Sequence, residues 1–87
     1  RRVTLGAVPE FGYAGPGIRV DGVVEGSPAA KAGIQKGDVI IALGGQPVPD
    51  LNGFTALLRN YQAGDRTVVR WKRGDAEQER EVELAPR

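Results

Sequence analysis

Residues 26–45 read Gly26-Ser27-Pro28-Ala29-Ala30-Lys31-Ala32-Gly33-Ile34-Gln35-Lys36-Gly37-Asp38-Val39-Ile40-Ile41-Ala42-Leu43-Gly44-Gly45, and this stretch decides the fold. Ser27 is a residue type that caps helix N-termini, and Pro28 suits the first helical position. Gly33 fits the left-handed residue that ends a helix, so a short helix is predicted through Ala32. The five apolar residues from Val39 to Leu43 are too few for a helix and predict a strand buried on both faces.

Outside this stretch, short runs of alternating apolar residues predict further strands. These are Val3–Phe11, interrupted by Pro9; Ile18–Val24; a strand containing Thr67, Val69 and Trp71; and, after a hairpin turn at Arg73-Gly74-Asp75, a strand containing Val82 and Leu84. Short strands of this kind, with two short helices, indicate a mostly β fold, a small antiparallel barrel or sandwich.

A second helix is predicted from Leu51 to about Asn60, with Asp50 as its N-cap. Its apolar residues repeat at helical spacing and form one stripe, made of Leu51, Phe54, Leu57, Leu58 and Tyr61.

The length of 87 residues suits one domain, spanning residues 1–87. The sequence begins at Arg1 rather than Met, so we expect it to be part of a longer protein. It contains no apolar run near the ~20 residues that cross a bilayer and no signal-peptide pattern. An export signal, if the parent protein has one, is expected outside these residues.

The residue types present argue against catalysis. The chain has no cysteine and no histidine, and Ser27 is its one serine. Nucleophilic triads and nearly all zinc sites need histidine or cysteine, so we expect no enzyme activity, no metal and no cofactor. The net charge of +1 gives no strong field for nucleic acid or anionic membranes. We interpret the basic residues Arg66, Arg70, Lys72 and Arg73, which lie among acidic ones, as a solvated strand face.

The order of these motifs resembles the central signature of PDZ domains. The resemblance is carried by Gly17–Val23, Gly26–Ile34 and Lys36–Gly45, followed by Ala63-Gly64-Asp65 and the Arg73-Gly74-Asp75 hairpin. The layout is similar to the bacterial protease type, whose circularly permuted strand order takes its first strand from the C-terminal end, here Glu79–Leu84. Leu5–Phe11 and the following Gly15–Ile18 resemble PDZ domains attached to secreted zinc aminopeptidases, with those of high-temperature-requirement serine proteases as the alternative. Gly44 departs from the family, which usually has asparagine there.

The resemblance implies a peptide site built by strand addition between an edge strand and the second helix. Backbone N–H groups of a loop would hold the C-terminal carboxylate. Two loops compete, Gly15-Pro16-Gly17-Ile18 and Thr4-Leu5-Gly6-Ala7, and we predict the second because it lies one strand earlier, at the matching position. The edge strand would then run from Ala7 through Val8 to about Phe11. Pro9 either faces away from the peptide or shortens its binding, because it lacks an N–H.

On the second helix the resemblance places Leu51, Thr55 and Leu58 at the groove. Leu51 replaces the family's histidine and favours an apolar ligand residue, while the alternative that Leu51 and Leu58 are ordinary core residues stays open. Phe54 and Leu57 are predicted to be core. Arg1 and Arg2 precede the loop and could attract a carboxylate.

The resemblance therefore implies a peptide-binding module that docks C-terminal or extended segments, as the substrate-docking or regulatory domain of a bacterial peptidase. The alternative is a structural or regulatory module that packs on its own catalytic domain and binds no free ligand, and Pro9 favours it. The expected partners are peptides and the attached catalytic domain, with no nucleic acid and no membrane insertion. We expect the parent protein to be extracytoplasmic, either periplasmic or secreted.

Overall fold

A computed structural model describes residues 2–87 of the chain. The elements follow in the order β1 (Val3–Thr4), β2 (Ala7–Pro9), β3 (Ile18–Val23), α1 (Pro28–Ala32), β4 (Val39–Leu43), β5 (Gln46–Pro47), α2 (Leu51–Leu58), β6 (Arg66–Arg73), β7 (Ala76–Glu83) and β8 (Ala85–Pro86).

The strands form two antiparallel sheets. One has six strands, in the order β2-β3-β4-β6-β7 with β5 added beside β4. The other joins β1 to β8, so that Val3 lies opposite Pro86 and the two ends of the chain meet. The mostly β, antiparallel class with two helices is confirmed, and the circularly permuted strand order stays a prediction.

Helix α1 forms where its capping residues predicted it. The Ser27 hydroxyl accepts a hydrogen bond from the Ala30 N–H at 3.2 Å, and Pro28 occupies the first turn. Gly33 ends the helix with a φ of 91°, a left-handed conformation that glycine adopts without a steric penalty. These local contacts explain why five residues form a helix without a long apolar stripe.

Strand β4 supplies the centre of the core. Ile40 and Leu43 are fully buried, while Val39 and Ile41 are half-buried. The prediction of burial on both faces is therefore wrong in part, because one face of the sheet is covered less completely than the other. Trp71 of β6 is buried opposite Ile40.

The N-terminal segment differs from the single strand predicted over Val3–Phe11. It contains two short strands, β1 and β2, separated by Leu5 and Gly6. The chain turns here because Gly6 takes a φ of 84°, and a Cβ at this position would overlap the side chain of Ser27. Phe11 lies in the turn after β2.

The β6–β7 hairpin carries pairs of opposite charges on its solvent side. Arg66 lies opposite Glu83, and Arg70 lies opposite Glu79 with a Nη2–Oε1 distance of 2.7 Å. The interpretation of this strand face as solvated is confirmed for Arg66, Arg70 and Lys72, which are exposed. Arg73 is exposed as well, but its guanidinium binds a buried carboxylate, that of Asp38.

Candidate functional site

Two clefts, which together we call the groove, lie between the N-terminal segment and α2, and residues 4–8 line neither of them. Strand β2 ends the order of its sheet, so one of its sides faces no other strand within residues 2–87. Pro9 shares a cleft of ≈ 310 Å³ with Leu51, at the start of α2. Val3 shares another, of ≈ 280 Å³, with Thr55 and Leu58, near the end of α2. Segment 3–9 and α2 therefore run in opposite directions.

In the loop formed by residues 4–7, the N–H groups of residues 5–7 point away from the rest of the protein. The Leu5 carbonyl accepts from the Ala29 N–H at 2.8 Å, and the Gly6 carbonyl accepts from the Val24 N–H at 2.8 Å. In a trans peptide the N–H points opposite to the carbonyl of the same unit. The Gly6 N–H therefore points away from α1, and the Ala7 N–H points away from β3.

The Leu5 N–H is directed in the same way. The Arg87 N–H donates to the Arg2 carbonyl at 3.2 Å, and Thr4 lies opposite Ala85. Because hydrogen-bonded pairs alternate in an antiparallel ladder, the Thr4 carbonyl faces β8 and the Leu5 N–H faces away from it. Three consecutive donors are thus turned outward, an arrangement that suits an anion.

One of these donors already has a partner inside the loop. The Gly6 N–H donates to the Thr4 hydroxyl oxygen at 2.9 Å. Because Thr4 accepts in this bond, its own hydroxyl hydrogen can donate to an incoming anion. The sequence placed Thr4 in the loop but did not predict this hydrogen bond. The pattern that could have indicated it is a threonine two residues before a glycine.

Pro9 stands on the open side of β2. The Val24 N–H bonds to the Gly6 carbonyl and the Glu10 N–H bonds to the Arg19 carbonyl, so this carbonyl of Gly6 and the polar backbone groups of residues 8 and 10 face the β3 side. Ala7 and Pro9, at the intervening positions, direct theirs to the open side. Pro9 was expected either to face away from the peptide or to shorten its binding. The geometry favours the second, because an added strand would find one hydrogen-bond donor fewer on the open side of β2.

The helix residues named from the sequence lie at different depths. Leu51 is 37% exposed and Thr55 is exposed, with its hydroxyl donating to the Leu51 carbonyl at 3.0 Å. Leu58 is half-buried and packs against the core. Phe54 is buried as predicted, and Leu57 is half-buried against the same core. Helix α2 ends at Leu58, earlier than the predicted Asn60.

The cleft near the end of α2 has a basic rim. Arg2 lies in its wall together with Arg59 and Arg87, beside the apolar side chains of Val3 and Leu58. The sequence named Arg2, whereas Arg59 and Arg87 were missed because they lie far apart along the chain. Arg1, named with Arg2, lies outside the described residues.

The alternative loop, Gly15–Ile18, which the sequence analysis did not favour, leads into β3. That strand is flanked by other strands on both sides.

A second cluster that sequence reasoning missed braces the turn between β2 and β3. Arg19 binds the Glu10 carboxylate through Nε at 3.0 Å and Nη2 at 2.6 Å. Its guanidinium lies 4.8 Å from the centre of the Tyr13 ring. The hydrogen bonds from Arg19 lower the pKa of Glu10, and the same bonds raise the pKa of Arg19. Both groups are therefore charged at neutral pH.

Within residues 2–87 the structure contains no group of three or more acidic side chains placed to hold a metal ion. Nor is any helix in that part of the chain long and apolar enough to cross a bilayer.

The sequence matches a family model described as PDZ domain over residues 4–84. HhoB, a candidate serine protease of Synechocystis sp., is 32% identical over 83 residues, which are 95% of this chain and 20% of HhoB. DegQ, a periplasmic pH-dependent serine endoprotease of Escherichia coli, is 66% identical over 29 residues, or 33% of this chain and 6% of DegQ. The chain thus spans a small part of these relatives' length.

Two solved structures share the fold. AlgW, an HtrA-type protease solved with a decapeptide, gives a TM-score of 0.86 at 24% identity over 99% of this chain and 30% of that chain. An aminopeptidase N family protein from Idiomarina loihiensis gives a TM-score of 0.86 at 26% identity over 97% of this chain and 14% of that chain. Similar modules therefore occur within both serine protease and aminopeptidase chains.

Proposed function

This chain belongs to the PDZ domain family, whose members are non-catalytic modules, and from that premise we propose that its groove binds the C-terminus of a peptide by strand addition. The peptide would lie antiparallel to β2, with its backbone along the open side of that strand and alternate side chains toward α2.

The observation that carries the proposal is the direction of the N–H groups of Leu5, Gly6 and Ala7. All three point away from the rest of the protein, because the carbonyls of the same peptide units face β8, α1 and Val24, the residue after β3. The Gly6 N–H also donates to the Thr4 hydroxyl within the loop. Successive outward N–H groups form a concave site for an anion. A C-terminal carboxylate is the anion that a peptide lying along β2 would bring to this point.

The surroundings of the loop suit an apolar C-terminal residue. Val3 and Leu58 lie in the wall of the cleft of ≈ 280 Å³ and offer apolar contact. Arg2, Arg59 and Arg87 of the same cleft give positive potential, which raises the rate at which a carboxylate arrives. The binding residues proposed are Thr4, Leu5, Gly6, Ala7, Val8, Leu51, Thr55 and Leu58.

We further infer that the parent protein is a bacterial peptidase outside the cytoplasm. The support is the similarity to the candidate protease HhoB and to DegQ, which is named as periplasmic. In that setting the domain would bring a substrate or a regulatory segment to an attached catalytic domain. Residues 1–87 would then act as the docking unit.

The test is a two-dimensional NMR titration with short peptides ending in Val, Leu or Phe, each with a free and an amidated C-terminus. We expect shifts at residues 4–9 and 51–58, and a loss of affinity of about tenfold or more on amidation, because charge-assisted hydrogen bonds are removed. Leu58→Ala should weaken binding, whereas Val68→Ala, on the far strand β6, should not. Shifts that are indifferent to amidation would contradict the proposal.

The second candidate is a structural module that packs on its own catalytic domain. Pro9 favours it, because a proline on the open side of β2 removes one donor from any added strand. This candidate predicts no shift with any free peptide at millimolar concentration. It also predicts that the same surface is protected from hydrogen exchange in the full-length parent protein.

A further inference from the structure

Strand β7 forms a second edge of the six-stranded sheet. It lies at the opposite end of the strand order from β2, and no other strand within residues 2–87 pairs with its outer side. It is eight residues long and contains no proline, whereas β2 has three residues and ends at Pro9. The unpaired backbone of a long edge strand is a template for a further strand.

The ladder with β6 shows which residues of β7 present their backbone to the open side. The Leu84 N–H, just after β7, donates to the Asp65 carbonyl at 2.8 Å, and the register from there back to Ala76 is continuous. Because bonded and non-bonded pairs alternate in an antiparallel ladder, residues 78, 80 and 82 bond to β6. Residues 77, 79, 81 and 83 therefore direct their N–H and carbonyl groups away from the sheet.

A cleft of ≈ 440 Å³, which we call the rear cleft, lies between α1 and the C-terminal part of β7. Its apolar wall includes the buried residues Pro28, Ala32 and Val82. Lys31 of α1 and Arg80 of β7 line the same cleft and are exposed. No salt bridge in the part of the chain that the structure describes engages either cation. An apolar surface and two uncompensated positive charges therefore adjoin the open edge.

Both ends of α1 are fixed by the protein's own hydrogen bonds. The Ala29 N–H, in the first turn, donates to the Leu5 carbonyl at 2.8 Å. The Gly33 carbonyl, at the other end, accepts from Arg73 Nη2 at 2.8 Å, and Arg73 lies opposite Ala76 at the start of β7. The rear cleft thus has a preformed helix beside an edge strand, and a ligand would lose little affinity to ordering it.

We propose that β7 and the rear cleft bind a second extended segment by strand addition, with an acidic side chain opposite Arg80 and an apolar one opposite Val82. These positions form pairs without hydrogen bonds to the added strand, and side chains approach most closely in such pairs. A carboxylate opposite Arg80 would enter the cleft that Lys31 also lines, and opposite charges across strands stabilise pairing. The inference does not rest on the proposed function, because it uses no C-terminal carboxylate.

The occupant is a segment of a partner protein and not a second copy of β7. The face of β7 that carries Arg80 also holds Ala76, Gln78 and Val82, so another β7 offers no acidic side chain to the cleft. The opposite face carries glutamates at positions 77, 79, 81 and 83. Residues of the added strand on that face are therefore uncharged or basic, since like charges directly opposite each other weaken pairing.

The experiment uses two heptapeptides, Thr-Val-Thr-Glu-Thr-Val-Thr and the same peptide with Lys in place of Glu. Both are acetylated and amidated, so that neither offers a carboxylate to the loop at residues 4–7. In a two-dimensional NMR titration of the 87-residue chain, the Glu peptide should shift residues 76–83 and 28–32. It should bind about threefold to tenfold more tightly than the Lys peptide.

Charge reversal tests the contact directly. Arg80→Glu should reverse the preference, so that the Lys peptide binds more tightly than the Glu peptide. Lys36→Glu makes the same change of charge at an exposed residue outside the rear cleft and should leave the preference intact. Because Arg80 is exposed and has no salt bridge within residues 2–87, its replacement should not disturb folding, which the dispersion of the NMR spectrum checks.

Three outcomes would overturn the inference. The first is equal affinity for the Glu and Lys peptides, and the second is a preference for Glu that survives Arg80→Glu. The third is the absence of shifts at residues 76–83 at millimolar peptide. Shifts confined to residues 4–9 and 51–58 would fall under the third outcome, and they would show that an added strand pairs with β2 instead. None of these results decides whether a free C-terminus binds the groove, which the amidation comparison tests separately.

Discussion

Arg73 binds the carboxylate of Asp38 through two parallel hydrogen bonds, Nε to Oδ1 at 2.9 Å and Nη2 to Oδ2 at 2.8 Å. The same Nη2 donates to the Gly33 carbonyl at 2.8 Å, and the Gln35 N–H donates to Asp38 at 2.7 Å. One buried carboxylate therefore links the end of β6 to the end of α1 and to the turn before β4.

Asp38→Asn should lower the free energy of unfolding by about 1–3 kcal/mol, since a buried acceptor of charge-assisted bonds loses its charge. The side chain of Asp38 is 2% exposed but that of Arg73 is 43% exposed, so we expect the lower half of that range. Urea unfolding measures the change. Glu79→Gln is the control, and its exposed pair with Arg70 should be worth less than about 1 kcal/mol. Equal effects of the two substitutions would contradict the special role of Asp38.

The contribution of Asp38 to the free energy of unfolding should depend on pH. Burial raises the pKa of Asp38, but the hydrogen bonds from Arg73 and the Gln35 N–H outweigh it and leave the folded-state pKa below its ordinary value. A carboxyl with a depressed folded-state pKa stabilises the fold above its unfolded pKa, about 3.9, and loses this contribution as pH falls through the folded-state pKa. The stability difference between the wild type and Asp38→Asn should hold above about pH 5 and shrink below about pH 4. A difference that is constant down to about pH 2 would contradict this reading.

Ile40→Ala should destabilise the fold by about 2–5 kcal/mol, the usual cost of removing a fully buried aliphatic side chain. Ile40 is 0% exposed and lies between Ile18 and Trp71 on the neighbouring strands. Ile41→Ala, at the next, half-buried position, should lower the free energy of unfolding by clearly less than Ile40→Ala. Thermal melts that shift equally for the two would show that the strand is not buried as described.

Thr4 should contribute to carboxylate binding through its hydroxyl hydrogen. Thr4→Val keeps the shape and removes the hydroxyl, and we expect about threefold to tenfold weaker binding of a free C-terminus, the worth of one hydrogen bond. Thr4→Ser should retain the wild-type affinity. Calorimetry with free and amidated peptides measures both. Tighter binding by Thr4→Val would show that the hydroxyl competes with the carboxylate for the Gly6 N–H.

Pro9→Ala should strengthen strand addition, because it restores an N–H on the open side of β2. We expect an affinity gain of about threefold to tenfold for a peptide that pairs along β2. Pro47→Ala, in the exposed strand β5, is the control for removing a proline and should leave affinity unchanged. An unchanged Kd for Pro9→Ala would argue against a ladder that reaches this residue.

Local chemistry made much of the fold predictable from sequence. Ser27, Pro28 and Gly33 each act through bonds to residues within the same turn, so their types sufficed to place α1. The alternation of Thr67, Val69 and Trp71 with charged residues is a property of one strand, and it gave β6 directly. The resemblance to PDZ domains then supplied the order of the remaining elements. The match to the PDZ family model over residues 4–84 supports that resemblance.

Contacts between distant residues explain what sequence reasoning missed. The break between β1 and β2 depends on Gly6 packing against Ser27, and the bond from Arg73 to Asp38 joins residues 35 positions apart. The Arg19 cluster arises only when β3 pairs with β2 and brings Glu10 to the same edge. Leu51 and Leu58 lie on one predicted stripe, yet the end of the helix packs more deeply than its start.

The charges of β7 also govern how the molecule behaves at high concentration. Strand β7 lies at the other end of the sheet from β2, and its outer side could template pairing with a second molecule. Glu77, Glu79, Glu81 and Glu83 occupy alternate positions of this strand. Two copies that joined antiparallel through it, with their Val82 faces aligned, would place glutamates opposite glutamates. Repulsion between these glutamates would oppose such pairing, and Arg66 and Arg70 of β6 offset part of their charge.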